Sequence, residues 1–282
     1  ISQAAQLLDY AQSTVTAQIQ ALETSVGQPL LYRTGKRITA LTPAGETLLP
    51  LAQRAARLAV DMQTSFDREA QPSGTLVIGA SETVLTYQLP ALLVAYGKHH
   101  PQVRLVIRPF RYEALLDQVR YGNIDLAFLF EQPLRSSKIE TTCLRQAEMI
   151  LVAAPTHPLA ALPTVNPQDL EDVTILFTEH GCGYRPLLEQ VCLEAGIRPM
   201  TNLEFNSSEA IKQCVIAGLG ITLLPHIAVA TELQAGQLAM LPWSGTPMPI
   251  YTQAAWRHDH TASPLVQSML ALSKTMLEDG TC

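Results

Sequence analysis

Residues 12–23 read Gln12-Ser13-Thr14-Val15-Thr16-Ala17-Gln18-Ile19-Gln20-Ala21-Leu22-Glu23, and with their flanks they decide the fold. Val15, Ile19, Leu22 and Val26 recur at i, i+4, i+7 and i+11, so Gln12–Val26 is predicted to be a helix with one buried stripe. Its other early positions are small and polar: Gln12, Ser13, Thr14, Thr16 and Gln18. Upstream, Ser2–Leu8 reads as a second short helix, set off by the tight Asp9-Tyr10-Ala11 segment. Downstream, Leu30–Arg33 and Ile38–Leu41 read as two strands joined by Thr34-Gly35-Lys36-Arg37. Short hydrogen-bonding side chains on an exposed helix suit a major groove, because they pair with base edges and phosphates. The hairpin tip gathers Arg33, Lys36 and Arg37 around Gly35, with Thr34 beside them, which is the composition of a phosphate-gripping wing. The plain alternative is an ordinary amphipathic helix pair followed by a polar hairpin.

Ala4-Ala5-Gln6-Leu7-Leu8, the stretch Gln12 to Glu23, Leu31-Tyr32-Arg33-Thr34-Gly35-Lys36-Arg37 and Leu41-Thr42-Pro43-Ala44-Gly45 together resemble the winged helix-turn-helix of LysR-type transcriptional regulators. The similarity is ordered through residues 1–45 and extends more loosely over the whole chain. It implies a DNA-binding head, a linker helix and an effector-binding body. Against the family pattern the chain opens inside the head, without its usual first helix. Ala11 stands where the family usually has a serine, so Ser13 is the alternative cap, with a helix start about two residues later.

Composition agrees. The 282 residues are 47% hydrophobic and 16% charged, enough for two or three domains with sizeable cores. No apolar run approaches the ~20 residues of a membrane span, and no export leader is recognisable, so the expected location is the cytoplasm, with no membrane contact. The net charge of −6 is unevenly spread. Residues 1–57 hold five Lys and Arg against three Asp and Glu, a balance of +2. A basic head on an acidic body fits DNA contact through the head alone.

From Thr42 as N-cap and Pro43 as first helical residue, a long helix is expected over 43–71. Leu48, Ala52, Ala55, Ala59, Met62 and Phe66 follow at alternating spacings of 4 and 3, an a/d seam. A single helix cannot bury such a seam, so pairing with a second copy is the expectation; packing on the chain's own body is the alternative. The family resemblance implies a linker helix paired in a homodimer, often within a homotetramer.

Beyond Gly74 strands and helices alternate. Thr75–Ala80, Val103–Ile107 and Ile124–Phe130 read as strands, with helices at Gln88–Tyr96 and Tyr112–Tyr121, a β-α-β-α-β series expected to form a parallel, doubly covered sheet. A second such unit follows, with strands at Met149–Ala153, Thr174–Phe177 and Asn202–Phe205 and helices near Tyr184–Ala195 and Ser208–Ala217. The fold class is α/β overall: an α-rich winged head (1–45), a linker helix (43–71) and a two-lobed body (75–282) similar to periplasmic binding proteins. Lobe I takes about 75–147 and 249–282, and lobe II about 148–248.

Open α/β sheets bind ligands beyond the carboxyl ends of their strands. That rule nominates Ser81, Glu82 and Thr83 after the first strand, Phe130 and Glu131 at the end of the third, Gly181 and Cys182 on the second lobe, and Asn206 and Ser207 at a third junction. Singly, the hydroxyls read better as helix caps; as a set, they read better as a cleft lining. Helix N-termini facing a cleft favour a carboxylate effector. Glu82 favours an amine instead, so the expected ligand is a small carboxylate or amino-acid-like molecule.

The five cysteines (143, 182, 192, 214 and 282) lack any CxxC or Cys/His ligand spacing, so no metal site and no cofactor are expected. Cys182 reads first as a small cleft-lining residue and second as a reactive thiol at a helix N-terminus. No catalytic spacing of Ser, His and Asp is present. The chain is therefore expected to be a ligand-responsive, sequence-specific regulator of transcription and not an enzyme. Its expected partners are double-stranded DNA, a small effector, further copies of itself and RNA polymerase. The alternatives are a solute-binding protein and a two-lobed α/β enzyme using Cys182.

Overall fold

The computed structural model describes residues 1–34, 37–64, 73–133, 136, 138–198, 203–260 and 263–277. The chain divides into two compact units, Ile1–Arg68 and Glu69–Cys282.

The first unit holds α1 (Ser2–Leu7), α2 (Gln12–Val26), the antiparallel hairpin β1 (Leu31–Thr34) and β2 (Arg37–Leu41), and α3 (Pro43–Thr64). Asp9 makes the α1–α2 turn by taking φ 54°, a left-handed conformation Asp tolerates better than most residues. Helix α2 begins at Gln12, capped in position by Ala11 without a side-chain hydrogen bond. Ser13 is thus inside the helix. The Ala11 carbonyl already accepts the amides of Thr14 (3.0 Å) and Val15 (3.3 Å), which sets the start two residues earlier than a Ser13 cap would.

The expected stripe on α2 is buried only at its beginning. Val15 is buried, while Leu22 and Val26 are 44% and 41% exposed. Six residues of α1 span about 9 Å, against about 22 Å for the 15 of α2, so α1 cannot cover the second half. Thr42 does cap α3: its Oγ accepts the Gly45 amide (3.1 Å) and donates to the Pro29 carbonyl (2.6 Å). Helix α3 continues through Pro50 to Thr64, where the described part ends. Of the seam, Leu48 is half-buried and Ala52, Ala55 and Ala59 are exposed; the Met62 side chain and Phe66 lie outside the described residues.

The second unit contains two lobes. Lobe I is built on β3 (Gly74–Ala80), β4 (Val103–Pro109), β5 (Leu126–Glu131), β6 (Ile139–Ala147) and, after an excursion, β12 (Ile250–Arg257), in the order β4-β3-β5-β12-β6. Its helices are α4 (Glu82–Tyr87), α5 (Leu89–His99), α6 (Tyr112–Arg120) and α10 (Pro264–Leu277). Strands β3, β4 and β5 run parallel, as their continuous apolar runs imply. The sheet is nonetheless mixed, because β12 pairs antiparallel with both β5 and β6. That direction follows from connectivity: the chain leaves lobe I along β6 and comes back along β12.

Lobe II contains β7 (Met149–Ala153), β8 (Phe177–Thr178), α7 (Arg185–Ala195), β9 (Glu204–Phe205), α8 (Ser208–Ile216), β10 (Ile221–Pro225), α9 (His226–Gln234) and β11 (Ala239–Met240). Here the expectation of a second parallel unit fails in part. The main sheet, β10-β7-β11, is antiparallel; the parallel pairings among the described residues of this lobe are the short β8–β9 pair and the single bridges Ile175↔Ile221 and Val165↔Trp243. A buried antiparallel strand such as Ile221–Pro225, covered on both faces, has the same nearly continuous apolar signature as a parallel one. One apolar core of fully buried side chains, including Ile78, Tyr96, Phe128, Val152 and Leu224, runs through both lobes. No helix among the described residues is long and apolar enough to cross a membrane.

Candidate ligand cleft and DNA-facing surface

The cleft is assembled where strand ends of lobe I meet helix starts of lobe II. Ser81 leaves β3 with its amide donating to the Phe128 carbonyl (3.2 Å), which turns the chain into α4. Ser81 holds the N-cap position of α4 but makes no side-chain cap bond. Its Oγ is instead buried with no hydrogen-bond partner, against the wall of a cavity of about 290 Å³. Leaving a buried hydroxyl unpaired costs about 1–3 kcal/mol, so the group calls for a partner.

Seven of the nine nominated residues line this cavity: Ser81, Glu82, Thr83, Phe130, Gly181, Cys182 and Asn206. Glu131 and Ser207 are not among the lining residues but adjoin them: Ser207 donates to Glu82 (3.0 Å), and the Glu131 carboxylate lies against Gly183. Gly183 lies so close to the end of β5 that a Cβ there would overlap the Phe130 carbonyl oxygen and sit 2.7 Å from the Glu131 carboxylate. Tyr184, buried at 3% exposure, completes the contact by packing edge-on against Phe130 at 6.3 Å between centroids. The 181–184 loop of lobe II is thereby seated on the strand end of lobe I.

Sequence reasoning missed a further strand-to-helix junction, in lobe I. Pro109, Phe110, Arg111 and Tyr112, where β4 passes into α6, line the cavity, as do Thr178 at the end of β8 and Glu179 after it. The signal was present. The rule that nominated Ser81–Thr83 applies equally to Arg111, but β4 runs to Pro109, two residues past the apolar run that marked it.

Titratable groups around the cleft are shaped by burial. The Cys182 thiol is pushed above its ordinary value chiefly by burial, which outweighs the opposing influence of the neighbouring Tyr184. Burial likewise raises the Glu131 carboxyl, with the Gln132 amide working against it. The Tyr112 phenol is pushed up to about 12 by burial and by the Glu131 charge. Arg185 is already spent: it pairs with Glu189 (2.6 Å) and Glu204 (2.7 Å), donates to the Thr178 carbonyl (2.6 Å) and lies over the Phe177 ring. It pins the start of α7 to β8 and β9. Among the described residues no cluster of three or more His, Cys, Asp or Glu side chains could hold a metal ion.

In the head, Gln12, Ser13, Thr14 and Gln18 are exposed on α2. The Thr16 hydroxyl donates to the Gln12 carbonyl of its own helix (2.9 Å), and the Gln12 side chain accepts from Ser2 (3.3 Å). Arg33 is 3.1 Å from the Glu23 carboxylate. Lys36 lies outside the described residues, as do the side chains of Thr34 and Arg37.

A helix-turn-helix head with a hairpin wing, joined to a two-lobed body with a cleft, defines a ligand-responsive transcription regulator. Residues 1–46 match the bacterial regulatory helix-turn-helix protein model of the lysR family, and residues 69–278 match the LysR substrate binding domain. The chain is 38% identical over 271 residues, 96% of its length and 92% of the relative's, to the uncharacterized HTH-type transcriptional regulator YwqM of Bacillus subtilis. A full-length OxyR variant from Pseudomonas aeruginosa has a similar fold, with a TM-score of 0.74 at 24% identity over 98% of this chain and 88% of that one. So does the Synechocystis CcmR regulatory domain in complex with 2-PG, with a TM-score of 0.68 at 21% identity over 74% of this chain and 99% of that one. The chain belongs to the LysR family and is a ligand-responsive, DNA-binding regulator of transcription.

Proposed function

We propose that the regulator is controlled by a small amino-acid-like effector bound in the cleft between its lobes. The observation that carries this reading is the unpaired, buried Ser81 hydroxyl on a cavity whose walls come from both lobes. A cavity of about 290 Å³ suits a metabolite of that size. Arg111 is the only Lys or Arg among its described lining residues, and with Ser81 it would receive an effector carboxylate. Glu179 and the Asn206 amide, on the opposite lobe, would receive an ammonium or hydroxyl group. The CcmR domain, solved with 2-PG, is a neighbour of the same fold that holds a small molecule.

An occupant touching both lobes changes their closure only if it binds one arrangement more tightly than the other. In a dimer joined through the α3 seam, that difference would re-space the two heads on their half-sites and alter contact with RNA polymerase. Ser13, Thr14 and Gln18, with Gln12 and Thr16, would face the major groove, and Thr34, Lys36 and Arg37 the backbone, with Arg33 holding the hairpin in place through Glu23. We read the protein as a cytoplasmic regulator without catalysis of its own. A Cys182 thiol held protonated by burial is a poor nucleophile, which supports neither the enzyme nor the redox-sensor reading.

The test is a thermal-shift screen of the full chain against amino acids and small hydroxy and keto acids. A ligand that raises the melting temperature of the wild type, and fails to do so in Ser81→Ala and Asn206→Ala, is the expected result. Shifts that survive both substitutions would remove the cleft as the effector site.

A further inference from the structure

Glu82 is the first residue of α4 in lobe I, yet its carboxylate is satisfied almost entirely by lobe II. One oxygen accepts the Ser207 hydroxyl (3.0 Å), and the other accepts both the Ser208 amide (2.9 Å) and the Ser208 hydroxyl (2.7 Å). Those donors form the N-terminus of α8, a nine-residue helix whose cap is Ser207 and whose own capping bond, to the Ala210 amide, is long at 3.4 Å. The positive end of a helix with converging hydroxyls is the environment that would otherwise receive a ligand's carboxylate. In this chain it is already filled. The contact is held in register by a second polar crossing about one and a half turns along α4, where the Tyr87 hydroxyl donates to Glu209 (3.2 Å) and its ring lies 5.7 Å from the Lys212 ammonium.

We infer that Glu82 is a tethered anion: it occupies the carboxylate seat at the N-terminus of α8, holds the two lobes together there, and excludes effectors that would bring an anion to that seat. The inference rests on the cleft being the effector site and specifies its charge preference. A tethered group competes with an effective concentration of at least ~mM, so a dissolved carboxylate present below that level cannot displace it. Three hydrogen bonds to the one carboxylate, two of them from the 3% exposed Ser208, strengthen the seat further. An effector carboxylate is therefore directed to the Arg111 and Ser81 side of the cavity, and a donor group, ammonium or hydroxyl, to the side of Glu82 and Glu179.

The experiment is chemical rescue. Full-length wild type and Glu82→Ala are melted in sodium acetate and in sodium chloride at matched ionic strength. The expected result is that Glu82→Ala melts below wild type in chloride and recovers at least half of the loss in acetate, at a half-maximal concentration at least tenfold lower than any acetate effect on wild type. Equal acetate responses in the two proteins would overturn the inference. Should Glu82→Ala fail to fold, Glu82→Gln and Ser208→Ala are compared singly and together. Strongly non-additive losses support the seat, and additive ones refute it. Acetate rescue fails independently of the effector screen: a cleft that still binds effector through Ser81 without rescue keeps the effector site and loses the tethered anion.

Discussion

Glu23, near the end of α2, and Arg33, in β1, form an ion pair at 3.1 Å. The other Glu23 oxygen accepts the Leu30 amide (2.9 Å) and the Leu31 amide (3.3 Å), so one carboxylate fastens the hairpin to the helix. Arg33 is thus partly neutralised before DNA arrives. Arg33→Ala is expected to weaken DNA binding by displacing the hairpin while changing the salt slope by less than one. A drop of a full unit would show Arg33 gripping a phosphate instead. Glu23→Ala strands the amide of buried Leu30 and should cost about 1–3 kcal/mol of stability. In the same DNA titrations Thr14→Ala should lose more specificity than Thr16→Val, because the Thr16 hydroxyl is already bonded within its helix.

The exposed face of α3 makes a second expectation. Ala52 and Ala59 lie on the seam and are exposed in the single chain. Ala52→Glu combined with Ala59→Glu should convert an oligomer to monomer in sedimentation velocity and lower affinity for a two-half-site operator. An unchanged sedimentation coefficient would place the subunit contact elsewhere.

Burial raises the Glu131 carboxyl, so the folded chain holds this proton more tightly than the unfolded chain does. The stabilisation that results is present in full below the ordinary carboxyl value of 4.5 and is lost as pH rises through the higher folded value. At neutral pH Glu131 consequently opposes folding. Glu131→Gln should melt higher than wild type at pH 7, with the gap closing as the pH is brought below 4.5. A gap that widens on acidification would contradict the burial argument.

Gly183→Ala should be severe for its size, because its methyl would overlap the Phe130 carbonyl oxygen. Overpacking of this kind costs about 1–3 kcal/mol. The larger effect should be on the effector response, since the 181–184 loop would be forced away from lobe I. A variant with wild-type melting and wild-type ligand shifts would mean that this contact is dispensable.

Much of this architecture was legible in the residues. The small polar positions of Gln12–Gln18 and the Thr42-Pro43 start placed α2 and the beginning of α3 to within a residue or two. What escaped has identifiable causes. Strand β6, Ile-Glu-Thr-Thr-Cys-Leu-Arg-Gln-Ala, is an edge strand with few buried positions, so it carries no continuous apolar run. Helix α5 runs through Gly97 to His99, where glycine reads locally as a stop. Arg111 was hidden by a strand that extends into Arg108 and Pro109. The bond from Glu82 to Ser208 spans 126 residues, and no local pattern announces a partner at that distance.

The most direct measurement is a footprint of the regulator on its operator, with and without the metabolite found by thermal shift, in wild type and Ser81→Ala. The expected result is a footprint that changes extent or bending with ligand in the wild type and stays fixed in Ser81→Ala, while both proteins bind DNA equally without ligand. A ligand that changes both footprints alike, or neither, would contradict control of the heads from the cleft.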